Sequence, residues 1–128
     1  MEDLIAKAKE AMEKAYAPYS GFQVGAALKC ADGSIYTGCN IENAAFSPTV
    51  CAERVAIFKA ISEGKRQFTA LALCGGKEGN LQDVCTPCGV CRQVLSEFCG
   101  KDFPIYLGNA QGYETVTLEQ LLPRSFAL

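Results

Sequence analysis

Two cysteine-bearing segments, Cys51-Ala52-Glu53 and Pro87-Cys88-Gly89-Val90-Cys91, constrain this chain more than any other feature. A Cys-x-x-Cys pair puts two sulfurs on one turn, close enough to share a tetrahedral ion, and Cys51 supplies a third. If the three sulfurs hold one ion, the fold must carry two distant segments to the same place. Pro87 suits the entry of a helix, because its missing N–H would have no intrahelical partner there. Cys51 and Cys88 therefore fall where helices are expected to begin, and the positive end of each helix dipole favours the thiolate that binds metal.

There are eight cysteines and no histidine. A metal site must then use sulfur or carboxylate ligands, and a general base must be something other than imidazole. Met1 to Lys9 carries spread charges and no continuous apolar stretch, so neither a secretory signal nor a membrane span is expected. The expected location is the cytoplasm, where thiols stay reduced and a disulfide framework is not the natural reading.

Three ligands imply a catalytic ion with a position open to water, whereas a structural zinc site is closed with four. Water at such an ion ionises near neutral pH. Glu53, two residues after a ligand, would lie beside that water, and the adjacent Arg54 could offset the negative charge of three thiolates. Other readings fit less of the pattern. Cys85, Cys88 and Cys91 resemble the opening of an iron–sulfur run, but Leu95 stands where its fourth cysteine belongs. A redox Cys-x-x-Cys pair leaves Cys51 and Glu53 without a role. A structural zinc closed by Cys85 or another cysteine would use the sulfurs but leave Glu53 without one. Cys30, Cys39, Cys74 and Cys99 lie in or near apolar segments and read as inert buried thiols.

Apolar spacing predicts a helix over 2–15, strands over 22–31 and 35–41 joined at Asp32-Gly33, a helix over 50–63 and a strand over 68–74. Gly75 to Asn80 reads as a plain loop. A helix over 88–98, strands over 103–107 and 113–116, and a short helix over 118–122 follow. No repeat or linker interrupts the chain, so residues 1–128 are expected to form one domain. The expected fold class is α/β, a three-layer αβα sandwich around a central mixed five-stranded sheet. A net charge of −2, with no run of basic residues, argues against a nucleic-acid polymer as partner.

These residues resemble the cytidine deaminase family, in particular its small homotetrameric branch with three cysteine ligands. The resemblance spans Tyr19-Ser20-Gly21-Phe22, Val24-Gly25-Ala26-Ala27, Gly38 to Ala44, Cys51 to Arg54, Thr86 to Gln93, and the tail Leu121-Leu122-Pro123 with Phe126. It implies one zinc per subunit and hydrolysis of free cytidine and 2′-deoxycytidine, with Glu53 carrying a proton from the attacking water to the base and on to departing ammonia. It also implies that Ala52 reads the base oxygen, that Thr86, Pro87 and Cys88 meet the amine through their backbone, and that Phe22 lines the pocket. Asn40 and Glu42 would bind sugar hydroxyls, although by residue type alone they could equally be turn and surface residues. Phe126 would reach a neighbouring subunit's site. The resemblance also implies that Phe46, standing where many relatives carry Tyr, lies near a subunit boundary and contributes to substrate binding.

Overall fold

The computed structural model describes residues 1–128. Five strands, β1 (Phe22–Cys30), β2 (Ile35–Cys39), β3 (Phe68–Lys77), β4 (Pro104–Asn109) and β5 (Gly112–Thr117), form one sheet in the order β2-β1-β3-β4-β5. Only the β3–β4 pairing is parallel, so the sheet is mixed as expected. Helices α1 (Glu2–Met12), α2 (Ala52–Ser62), α3 (Gly89–Phe98) and α4 (Leu118–Leu121) complete the fold.

Alternation along the strands sorts the side chains into two cores. On one face Ala26, Leu28, Leu71, Leu73, Ile105 and Leu107 meet Ala52, Ala56 and Ile57 of α2 and Leu95 of α3. On the other, Leu4, Ile5, Ala8 and Met12 of α1 rest on the small residues Ala27, Ala70, Ala72 and Cys74. The result is helix, sheet and helix in three layers. None of the helices is long and apolar enough to cross a membrane.

Two glycines set how closely the layers approach. A Cβ on Gly25 would collide with the α1 backbone at Ala8 and Met12, and one on Gly38 with the α2 backbone at Ala52 and Ala56. Each helix can settle on the sheet there only because the side chain is missing. Gly38 thereby fixes the depth of the first turn of α2, where Glu53 sits.

Two expectations need correcting. Helix α1 ends at Met12 rather than residue 15, because Tyr16 is drawn into a parallel bridge with Ile41. Its N–H donates to the Asn40 carbonyl at 3.0 Å, and the Glu42 N–H returns to the Tyr16 carbonyl at 2.8 Å. Gly75, Gly76 and Lys77 are strand, not loop, and pair with Val24, Gln23 and Phe22. Gly76 is in extended backbone where any Cβ would strike the Asn80 carbonyl. Here glycine permits close packing of a strand against the returning chain.

Candidate metal and catalytic site

The sheet and its two helices bring the starts of α2 and α3 together. Cys51 and Cys88 are the N-cap residues of these helices, both in extended backbone, and neither side chain caps its own helix. Both sulfurs are therefore free to turn toward each other. The Sγ atoms of Cys51 and Cys88 are 3.5 Å apart, as are those of Cys88 and Cys91. All three lie within 4.8 Å of one another. Sulfurs each about 2.3 Å from a tetrahedral ion would be about 3.8 Å apart, so this donor set fits zinc.

Cys85 does not join this group. Its thiol is half-buried, and burial followed by the nearby charges of Glu53 and Cys51 pushes its pKa up to about 12. The structure thus leaves three converging sulfurs, not four. All eight cysteines are free thiols, with Cys30 and Cys74 buried and Cys39 and Cys99 partly so.

Within the cluster the sulfurs differ. A hydrogen bond from Cys91, with further help from Arg54, holds Cys51 down at about 5, and the same partnership pushes the Cys91 thiol up. Arg54 Nη2 donates to Cys51 Sγ at 3.5 Å, while its buried Nε has no hydrogen-bond partner. Arg54 thus stands in contact with one of the three sulfurs.

Glu53 is 3% exposed and is the buried charged residue of the core. Burial raises its carboxyl to about 7, and the negative charge at Cys51 adds to the rise. Desolvation disfavours the ionised form, so this side chain can hold or release a proton near neutral pH. Ala52 beside it is wholly buried at the first turn of α2, where helix N–H groups have no intrahelical acceptor.

Asn40 and Glu42, expected from the resemblance to bind sugar hydroxyls, make structural hydrogen bonds. Asn40 Oδ1 accepts from the Val24 N–H at 2.9 Å, and its Nδ2 donates to the Phe22 carbonyl at 2.8 Å. An amide has two N–H groups and two lone pairs, so each side keeps one unused. Glu42 accepts from the N–H groups of Tyr19 and Ser20 and from the Ser20 hydroxyl. These bonds, the hydroxyl first, lower its carboxyl pKa.

Glu42 also lines an open cavity of about 380 Å³ with Tyr19, Ser20, Phe46 and Thr49. A larger cavity of about 600 Å³ lies on the α1 side, lined by Lys9, Met12 and Gln23 among others, and contains none of the three sulfur ligands. Chemistry, not size, locates the candidate site.

Phe22 is 38% exposed, and its ring stands across Gly75 from Cys85. Phe46 is 71% exposed with φ of 62°, in the left-handed region that bulky residues avoid, and it meets Tyr19 edge-on with centroids 6.3 Å apart. Phe126 lies in the irregular tail, 69% exposed. Thr86 is exposed and Pro87 is buried. Two contributors escaped the sequence reading. Gly75 makes room between Phe22 and Cys85, and Arg92 bonds the carbonyls of Pro87 and Leu121. Only the Arg immediately after Cys91 offered any signal for the second.

Residues 1–107 match the family described as "Cytidine and deoxycytidylate deaminase zinc-binding region". The chain belongs to this family. It is 54% identical to a cytidine deaminase of Sporosarcina psychrophila over 99% of this chain and 91% of that one. It is 50% identical to a cytidine deaminase of Halalkalibacterium halodurans over 96% and 91% of the two chains. The crystal structure of cytidine deaminase from Burkholderia pseudomallei superimposes with a TM-score of 0.88 at 43% identity, covering 97% of each chain. The family fold is the mixed five-stranded sheet flanked by helices described above, and membership makes the chain a deaminase, a hydrolytic enzyme.

Proposed function

We propose that residues 1–128 act as one domain that holds one zinc ion through Cys51, Cys88 and Cys91. On this reading it converts free cytidine and 2′-deoxycytidine, with water, to uridine and 2′-deoxyuridine plus ammonia. The observation that carries the reading is Glu53, a buried carboxyl raised to about 7 two residues from a sulfur of a three-cysteine cluster. Three protein ligands leave a fourth position for water, and bound zinc supplies the Lewis acidity that makes water a nucleophile near neutral pH.

Glu53 takes the proton from the attacking water, delivers it to N3 of the pyrimidine and assists departure of the amine. A carboxyl that titrates near 7 suits both directions of this transfer. The Ala52 N–H, unengaged at the helix start, reads the base O2. The backbone of Thr86, Pro87 and Cys88 meets the amine side. Arg54 offsets part of the charge of the thiolates. Phe22 lines the sugar and base, and the remaining N–H and lone pair of Asn40, with the carboxylate of Glu42, bind sugar hydroxyls. Their existing bonds to 19–24 pre-orient them.

The assembly is a homotetramer in which Phe46 and Phe126 meet neighbouring subunits; their large exposed surfaces support this. The enzyme works in the cytoplasm in pyrimidine salvage, a setting consistent with eight free thiols. Its net charge of −2 disfavours polymeric substrates. The test is a side-by-side assay on cytidine, 2′-deoxycytidine, cytosine and a single-stranded oligonucleotide, read by absorbance and ammonia release. Turnover of both nucleosides alone is expected. Turnover of the oligonucleotide, or of neither nucleoside by zinc-loaded protein, would contradict the assignment.

A further inference from the structure

Arg92 follows Cys91 on α3 and ligates nothing, yet it makes the shortest polar contacts to the loop that carries Cys88. Its Nε donates to the Pro87 carbonyl at 2.7 Å and its Nη1 donates to the Leu121 carbonyl at 2.6 Å. Its backbone N–H donates to the Cys88 carbonyl at 3.0 Å. That last bond is the ordinary first-turn bond of α3, so the contribution specific to Arg92 is its side chain on the carbonyls of Pro87 and Leu121.

The two carbonyls held by the side chain belong to different parts of the molecule. The Pro87 carbonyl is half of the peptide bond that leads into Cys88. Leu121 ends α4, and the exposed tail carrying Phe126 leaves from there. A planar guanidinium presents its N–H groups in a fixed fork, so holding both acceptors fixes their relative position; an ammonium on a flexible stem would not. The need is local. Cys88 is exposed, caps α3 without a side-chain bond, and is followed by Gly89, which has no atom within 4 Å of where its Cβ would be. Pro87 is buried and anchors the chain just before this point, but nothing packs over Cys88 and Gly89 themselves. Charge-assisted bonds from a partly buried Arg add to that anchor at the peptide bond entering Cys88.

We propose that Arg92 is a positioning residue that sets the register of Cys88 against Cys51 and Cys91 and ties that register to the path of the C-terminal tail. This rests on the reading of the three cysteines as metal ligands. A residue that only ended α4 would affect stability and leave the sulfur geometry alone.

The test uses the full chain loaded with cobalt(II), whose visible and thiolate charge-transfer bands report ligand geometry, together with the rate of cobalt loss to a chelator. Arg92→Ala is expected to shift the bands and speed cobalt loss by about tenfold or more, the range seen when residues orienting metal ligands are removed. Arg92→Lys, which keeps the charge and loses the fork, is expected to shift the bands in the same direction, and it decides the matter if the alanine variant does not fold. Unaltered bands and chelator rates in folded Arg92→Ala, or in Arg92→Lys if the alanine variant does not fold, would overturn the proposal even if thermal stability fell. Wild-type protein that takes up no cobalt would instead overturn the metal reading beneath it, and the proposal with it.

Discussion

At the start of α2, Cys51 is half-buried, Ala52 and Glu53 are buried, and the helix lies so close to β2 that Gly38 leaves no room for a methyl group. At the start of α3, Cys88 and Gly89 are exposed, and the chain is held by the hydrogen bonds of Arg92. Both segments deliver sulfur to one cluster. One does so by close packing against the sheet, the other by a charged fork. The difference matches the work asked of each. The packed start buries a carboxyl and raises its pKa, which requires exclusion of water. The open start leaves Cys88 and the neighbouring Thr86 accessible from outside, as the proposed substrate contacts at Thr86 to Cys88 require.

The largest expected effect tests the cost of burying Glu53. A carboxyl whose folded pKa exceeds its unfolded value favours folding only while protonated. Metal-free protein should therefore be at full stability below pH 4.5, lose stability as the pH rises to about 7, and stay at the lower level above. That window corresponds to about 3 kcal/mol for the wholly buried group. Metal-free Glu53→Gln should accordingly be more stable than wild type at pH 8 and similar to it at pH 4, measured by urea unfolding. Equal stability at both pH values would mean that the carboxyl is better solvated than the packing of α2 indicates.

Next is Gly38→Ala. Its methyl group meets the α2 backbone at Ala52 and Ala56, so α2 must lift. A loss of about 1–3 kcal/mol is expected, together with reduced turnover, because Cys51 and Glu53 move with the helix. Lost stability with full turnover would uncouple the packing from the site.

Removal of Phe126, Ala127 and Leu128 should weaken nucleoside binding, read as a higher KM, more than it lowers Tm. Unchanged kinetics would show that the tail stays outside the site. The smallest effect is expected at Gly89→Ala on the open side. No atom opposes the new methyl group, and replacing a helical glycine should change stability by less than about 1 kcal/mol, in the favourable direction. If this variant folds normally yet loses turnover, the open space is used by substrate or by a second subunit.

The same contrast separates what could be read from the sequence. The sulfurs, Glu53 and the starts of both helices follow from spacing, because a helix start and a Cys-x-x-Cys turn are local features. The sandwich follows from helices alternating with strands along the chain, whereas which face of β1 and β3 meets α1 and which meets α2 and α3 is seen only in the structure. Partners brought from far along the chain were not legible. The end of α1 is set by Ile41, and Gly75 to Lys77 stay in the strand because β1 continues alongside. Asn40 spends one side of its amide on Val24 and the other on Phe22, and no residue type announces that. Arg92 reads as one more surface charge on a helix until the carbonyls of Pro87 and Leu121 are seen to converge on it.

The central claim, that three sulfurs hold the metal while the buried carboxyl beside them moves the proton, is tested most directly by Glu53→Gln assayed for zinc content and nucleoside turnover on one sample. The account predicts about one zinc per chain, as in wild type, with turnover lower by at least about 10²–10⁴-fold. Turnover near the wild-type rate would contradict the role of Glu53, and loss of zinc with the fold intact would make the carboxyl part of the metal site.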